Sequence, residues 1–452
     1  MDNYLKRLLN VIPGGAHTYS RGFDQFPSNA PQILTKGKGA YIYDDKNHKY
    51  LDYGMGLRAV NLGYANDEVN NAAIEQIKNG VNMTRPSFIE LEAAELFVDL
   101  IDSVDMVKFT KNGSTAVSAA VKLSRAYTGK NMVARCSDHP FFSYDDWFIG
   151  STVVNKGVPQ TTINDTKLFK YNDIKSLEVL FDKYPNKFAC VVLEPATEFC
   201  PGVGEDLSCC SSYPCTKTFL SSNGNFLKDV ENLCKKNNVI FILDEMITGF
   251  RYHLKGAQHL YGVKPDISTF GKAMANGFSL ACVGGNREIM QQGSIEAEGD
   301  ERVFLLSTTH GSEMPALGAF ISTINIIKQK NVIEHLWKFG TSLINIMNSE
   351  AKRAGLEDYF FAYGVPCLPN YITYDSNKNK SLAFKTLFMQ EMLKRNILIP
   401  FISPCFSHKQ EELELTINAL RDSFVVYKEA LGGDIENYIS GEIVKPVFRK
   451  FN

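Results

Sequence analysis

Between residues 105 and 290, short unbroken apolar runs alternate with stretches of helical periodicity. Phe188-Ala189-Cys190-Val191-Val192-Leu193 and Val239-Ile240-Phe241-Ile242-Leu243 contain no polar side chain. A strand with one face in water alternates polar and apolar residues, so an unbroken run marks a strand covered on both faces. Asp105–Thr110 and Met132-Val133-Ala134 read as further strands. Thr115–Tyr127 places Ala116, Ala119, Ala120 and Leu123 at i, i+3, i+4 and i+7, one helical face, and Phe226–Lys236 is helical in pattern. Covered strands alternating with helices define an α/β fold, a mostly parallel central sheet with helices over it. In such sheets ligands bind at the carboxyl ends of the strands.

The chain changes character after residue 315. Met314–Gln329 and Val332–Arg353 read as consecutive helices, followed by short strands near Tyr371-Ile372-Thr373 and Ile397-Leu398-Ile399 and a helix at about Lys409–Leu431. This is a smaller α+β domain. Near the start, Gly39–Asp44 and Tyr50–Tyr53 read as a hairpin. The expected division is an N-terminal segment, 1–55, contributing to the small domain and the substrate site; a large α/β domain, 56–315; and a C-terminal small domain, 316–452.

Bulk properties exclude some partners. The chain has 48 basic and 50 acidic residues, a net charge of −2, which gives no electrostatic reason to bind nucleic acid or an anionic membrane. It shows no apolar run long enough for a transmembrane helix, and Met1–Arg7 lacks the apolar core of a signal peptide, so a cytoplasmic protein is expected. Cys136, Cys190, Cys234, Cys282, Cys367 and Cys405 are scattered and read as reduced core thiols. Cys200, Cys209, Cys210 and Cys215 cluster, but without paired C-x-x-C knuckles or a nearby histidine. They read as part of a surface insertion rather than a metal site.

Three features carry chemistry. Asn112-Gly113-Ser114-Thr115 lies between a strand and a helix, where backbone amides can cradle a phosphate. Taken alone, a glycine turn with a helix cap looks the same. Asp244 ends a covered strand, and Lys272 follows it by 28 residues among the apolar neighbours Ile267, Phe270, Ala273 and Met274. A desolvated lysine is a usable nucleophile. A lysine that can form a Schiff base and a buried carboxylate that can hold a ring-nitrogen proton suit pyridoxal phosphate.

At these residues the chain resembles the class III aminotransferases of fold type I, glutamate-1-semialdehyde aminomutase and its relatives among them. The resemblance rests on Ile12-Pro13-Gly14-Gly15, Gly39-Ala40-Tyr41-Ile42-Tyr43-Asp44, Asn112-Gly113-Ser114, Asp244-Glu245-Met246-Ile247-Thr248-Gly249-Phe250-Arg251 and Pro265–Lys272, and it runs from about residue 10 to residue 430. It implies pyridoxal 5′-phosphate as cofactor, with Lys272 as the Schiff-base lysine and Asp244 as the partner of the ring nitrogen. Met246 would pack on one ring face, with Asn112, Gly113 and Ser114 at the phosphate and Glu194 near the ring. Thr308 matches the threonine that reaches the phosphate of a neighbouring subunit, which implies a homodimer with shared sites. Arg21 matches an arginine that holds a substrate carboxylate.

The sequence also departs from the family pattern. Phe141 falls where a stacking tyrosine is usual, Thr115 where many relatives have glutamate, and Gly54-Met55-Gly56-Leu57-Arg58 where the aminomutase has a Ser-Trp-Gly wall. Arg58 could bind a second anionic group. These departures resemble variant enzymes of amino-sugar and surface-polysaccharide pathways. The expected activity is transfer of an amino group from an amino-acid donor to a small carbonyl or keto-sugar acceptor. An aminomutase that moves the group within one substrate is the alternative, and a non-catalytic binding member of the fold ranks behind both.

Overall fold

The unbroken apolar runs form covered strands: every residue of Phe188–Leu193 and of Ile240–Glu245 is buried. The computed structural model describes residues 4–196, 200–201, 225–296 and 301–451. In chain order the strands are β1 Leu34–Lys38, β2 Tyr41–Asp44, β3 Lys49–Asp52, β4 Met106–Thr110, β5 Met132–Cys136, β6 Thr166–Phe169, β7 Phe188–Leu193, β8 Ile240–Glu245, β9 Ile267–Phe270, β10 Ala281–Gly285, β11 Phe360–Tyr363, β12 Asn370–Thr373 and β13 Ile397–Leu398. The longer helices are α1 Asp67–Gly80, α2 Phe88–Leu100, α3 Gly113–Thr128, α4 Ile174–Lys183, α5 Phe226–Asn237, α6 Met314–Gln329, α7 Val332–Ala354, α8 Leu382–Lys394 and α9 Gln410–Leu431.

The described residues fall into two compact units, one within 67–333 and one made of 1–66 with 334–452. Residues 56–66 and 316–333 therefore lie across the boundaries expected at 55/56 and 315/316. The reason is packing. α6 lies against α1 and α2, and Tyr64 exchanges backbone hydrogen bonds with Gly39 at 2.8 and 2.9 Å.

The 67–333 unit holds a seven-stranded sheet in the order β4-β10-β9-β8-β7-β5-β6. All neighbours are parallel except β10, which runs against both β9 and β4. The α/β expectation holds, with one reversed strand. That reversal matters for the site: residues 271–280 turn the chain from β9 into an adjacent antiparallel strand, so Lys272 stays at the sheet's carboxyl edge. α3 packs on β7, β9 and β10 and begins at that same edge, directly after β4.

The other unit pairs β1-β2-β3-β13, with β13 parallel to β3, beside a two-stranded sheet of β11 and β12. Its core joins Tyr53, Met55, Phe360, Tyr371, Phe388 and Phe424 in one cluster, and α8 packs along α9. After β3 the backbone does something rare. Met55, Gly56, Leu57 and Arg58 have φ of 41°, 59°, 61° and 69°. This is a turn of left-handed helix, closed by Arg58 N–H to the Gly54 carbonyl at 3.0 Å and Ala59 N–H to the Met55 carbonyl at 3.1 Å. Each L-residue in that conformation costs roughly 1–2 kcal/mol, and three of the four have side chains.

Asp52, at 3% exposure, offsets the cost. Its Oδ1 accepts from Gly54 N–H at 2.7 Å, and its Oδ2 accepts from Met55 N–H at 3.1 Å and from the Tyr64 hydroxyl at 2.6 Å. Burial pushes the carboxyl up to about 6 against those donors.

Cys136, Cys190, Cys234, Cys282, Cys367 and Cys405 are free and buried. Cys200 is buried and disulfide-bonded, whereas Cys209, Cys210 and Cys215 lie outside the described residues. Among the described residues, no helix is long and apolar enough to cross a membrane.

Candidate active site

Parallel pairing of β8 with β9 sets Asp244 opposite Thr269. The Asp244 carboxylate, 2% exposed, accepts from the Thr269 hydroxyl at 3.0 Å and from Met246 N–H at 2.9 Å, both at Oδ1. Burial raises its pKa to about 6, opposed by the Met246 amide, the charge of Lys272 and the Thr269 hydroxyl. Two hydrogen bonds on one oxygen leave a buried acid whose ionised form calls for a cation.

Lys272 opens a single 3-10 turn, Lys272–Ala275, that follows β9. Its φ is 45°, an uncommon conformation for a residue with a side chain and one found at functional sites. The lysine is half-buried, while Ala273, Met274 and Ala275 behind it are buried.

Met246 connects this lysine turn to the start of α3. A Cβ added at Gly113 would lie 2.8 Å from the Met246 Sδ, and one added at Gly271 would lie 2.6 Å from it. The thioether is wedged between two positions where only glycine fits, one at the helix start and one beside the lysine. α3 is capped by Asn112, whose Oδ1 accepts from Thr115 N–H at 2.9 Å and from the Thr115 hydroxyl at 3.1 Å. Ser114 is buried, and its hydroxyl accepts from Tyr144 N–H at 3.2 Å. The amides of Gly113 and Ser114 donate to no group among the described residues. They stand at the positive end of a 16-residue helix, where an anion is favoured.

The remaining residues singled out from the sequence lie as follows. Glu194 is buried just past β7, and its N–H donates to the His139 Nδ1 at 3.0 Å. Burial and the charge of Arg135 lower His139 to about 3, so the ring is neutral. Phe141 is exposed and meets Phe148 edge-on, with ring centres 5.6 Å apart. Thr308 is exposed, and the stretch after it is tied down: Asn82 Nδ2 donates to the Thr309 carbonyl at 2.9 Å, and Glu313 pairs with Lys111 and lies 3.6 Å from His310. Arg21 and Arg58 belong to the other unit. Arg21 is exposed at the end of a short 3-10 turn, Tyr19–Arg21. The Arg58 guanidinium lies over the Phe401 ring at 4.7 Å.

The structure thus brings Asp244, Met246, Gly113 and the Lys272 turn together. Sequence reasoning missed Thr269, Gly271 and His139. Thr269 could have been found by counting back from Lys272, because both flank the end of one strand. His139 carried no comparable signal.

The fold and this cluster define a fold type I pyridoxal-phosphate-dependent transferase. The class-III aminotransferase family model matches residues 24–198 and 218–358, and the chain belongs to that family. A glutamate-1-semialdehyde 2,1-aminomutase of Francisella philomiragia is 31% identical over 78% of this chain and 78% of its own. A namesake from Wigglesworthia glossinidia brevipalpis is 29% identical over 92% of this chain and 96% of its own. Among solved structures, the PLP-bearing FumI protein of Sphingopyxis sp. MTA144 shares the fold with a TM-score of 0.81 at 23% identity, covering 95% of this chain and 96% of its own. The protein is an enzyme of the aminotransferase class.

Proposed function

We propose that the protein moves an amino group from an amino-acid donor to a small carbonyl or keto-sugar acceptor, in amino-sugar or surface-polysaccharide synthesis. The donor leaves as its keto acid and the acceptor leaves as an amine. The observation that carries this reading is the buried Asp244, braced by Thr269 and Met246, beside the Lys272 turn and the open amides of α3. The donor set fits pyridoxal 5′-phosphate: a buried acid for the ring-nitrogen proton, amides for the phosphate and a lysine for the aldehyde carbon. Bound there, the cofactor would supply an electron sink for charge developing on the substrate carbon.

The chain's own groups do the rest. Lys272 Nζ would hold the cofactor through its aldehyde carbon and, as a free amine, would serve as the base that takes the proton from the substrate carbon. Asp244 keeps the ring-nitrogen proton in place. Gly113 and Ser114, with Asn112 shaping the turn, bind the phosphate. Met246 would bound one face of the ring and Phe141 the other, with Glu194 near it. Arg21 takes the substrate carboxylate and Arg58 a second anionic group. Thr308 of the partner subunit completes the phosphate site, so the working form is a homodimer. A cytoplasmic setting belongs to the same reading.

Lys272→Ala should abolish the visible absorbance of lysine-bound cofactor together with turnover. Survival of both would sink the assignment. An aminomutase is the second reading, favoured by the names of the relatives. The two separate on donor dependence: turnover that needs glutamate or alanine supports the aminotransferase, and donor-free conversion of one substrate supports the mutase. The presence of both Lys272 and Asp244 argues against a non-catalytic member.

A further inference from the structure

Four neighbouring strands of the 67–333 unit, β8, β7, β5 and β6, run parallel and end at one edge of the sheet. The segment just past β7, Glu194-Pro195-Ala196, is held there by side chains from the other three exits. His139, just past β5, accepts the Glu194 N–H at Nδ1, at 3.0 Å. Tyr171, just past β6, donates its hydroxyl to the Pro195 carbonyl. Tyr252, in the turns that follow β8, donates its hydroxyl to the Ala196 carbonyl at 2.6 Å. Three successive residues are gripped one by one beyond the last ladder position of their own strand.

The histidine's part in this grip has a defined chemistry. Its ring is buried and neutral. A neutral imidazole accepts at one nitrogen and donates at the other, so with Nδ1 accepting, the proton sits on Nε2. The ring meets that of Tyr171 edge-on, with centres 5.1 Å apart, so two of the three gripping side chains brace each other. The loop that carries His139 also carries Phe141, whose ring rests on Phe148. His139 therefore stands at the junction between the loop of Phe141 and the strand exit of Glu194.

We propose that His139 is a positioning residue that sets Glu194 relative to Phe141 and so shapes the slot for the cofactor ring. The proposal rests on the reading above that Phe141 and Glu194 face that ring, and it names the group that fixes them. Cofactor-free parent and variants are titrated with pyridoxal 5′-phosphate. The dissociation constant is read together with the visible circular dichroism of the lysine-bound cofactor, which reports how firmly the ring is held.

His139→Asn keeps an acceptor at the place of Nδ1, whereas His139→Leu keeps apolar bulk and has no acceptor. The leucine variant should bind about tenfold more weakly and lose about half of the dichroism per bound cofactor, as loss of a buried amide's acceptor allows. The asparagine variant should stay within about twofold of the parent on both readouts. Asparagine fills an apolar site less well than leucine, so a role in packing alone would reverse that order. Parent-like values in the leucine variant, or equal losses in both, would overturn the proposal. Where His139→Leu does not fold, His139→Gln takes its place, because its acceptor lies one bond too far out for the Glu194 amide. Phe141→Ala and Glu194→Gln test the underlying reading separately. If both keep the parent's affinity and dichroism, the two residues do not face the ring and that reading fails. If either changes them while His139→Leu does not, the reading stands and the positioning role alone is refuted.

Discussion

A carboxyl group at the end of a covered strand can be accommodated protonated or beside a cation. Asp244 is held between these two states. Burial raises its pKa from the ordinary 3.8 to about 6, so the folded chain binds this proton more tightly than the unfolded chain does. The ionised group then costs stability at neutral pH, about 3 kcal/mol from the size of the shift, and the cost fades as pH falls through 6 toward 3.8. In cofactor-free protein, Asp244→Asn keeps an oxygen for the Thr269 and Met246 donors and should therefore be the more stable form at pH 7.5. Thermal melts should show that advantage shrinking by pH 4.5; a gap that does not change with pH would refute the burial argument. With cofactor bound, the order should reverse, because a ring-nitrogen proton turns the same charge into an attraction. Asp244 and Lys272 were legible in the sequence because strand end and lysine lie on one segment of alternating elements. Asp52 and Tyr64 were not, since no residue pattern announces four successive positive φ angles.

At the scale of elements, the site depends on how closely α3 approaches the lysine turn. Gly113→Ala would press a methyl against the Met246 Sδ at 2.8 Å. The thioether could yield only into the ring face it is proposed to cover. Cofactor affinity should fall about tenfold or more, read by fluorescence titration, with little loss of melting temperature. In the other unit, Gly340 of α7 approaches the Pro366 carbonyl so closely that an added Cβ would sit 1.6 Å from its oxygen. Backbone cannot yield as a side chain does, and Gly340→Ala should cost about 3 kcal/mol or more in denaturant melts. Elements with strong local signals were read well: β7 has the bounds expected from its apolar run, and the helix of Met314–Gln329 lies where its pattern placed it. In the 67–333 unit β6, β9 and β10 were missed, β6 and β10 for a clear reason. Thr166–Phe169 is a four-residue edge strand with an exposed leucine, and Ala281–Gly285 ends in two glycines, so neither shows a period or an apolar run. Their pairing partners define them, and those lie far away in sequence.

At the scale of the whole molecule, the 67–333 unit presents apolar side chains that a lone subunit leaves in water. Ile74, Ile77, Met83, Leu91 and Phe88, the last 74% exposed, lie on α1, on α2 and in the loop between them. Exposed apolar groups in this number indicate a covering surface. Sedimentation velocity should find a dimer, and Phe88→Glu combined with Leu91→Glu should give a monomer. If the proposed shared site is right, that monomer should bind pyridoxal phosphate more weakly, having lost the partner subunit's Thr308. A monomeric parent with full activity would refute the shared site.

The split between the units also sets a timetable for synthesis. β3 ends at Asp52, and its parallel partner β13 begins at Ile397. Ribosomes add about 5–20 residues per second, so β3 waits roughly 20–70 s for the strand that completes its sheet. Residues 67–333 emerge in full during that interval. Until β13 arrives, one edge of β3 offers unpaired amides and carbonyls to any passing strand. That edge therefore stays open through most of translation, and only the last quarter of the chain to be made closes it.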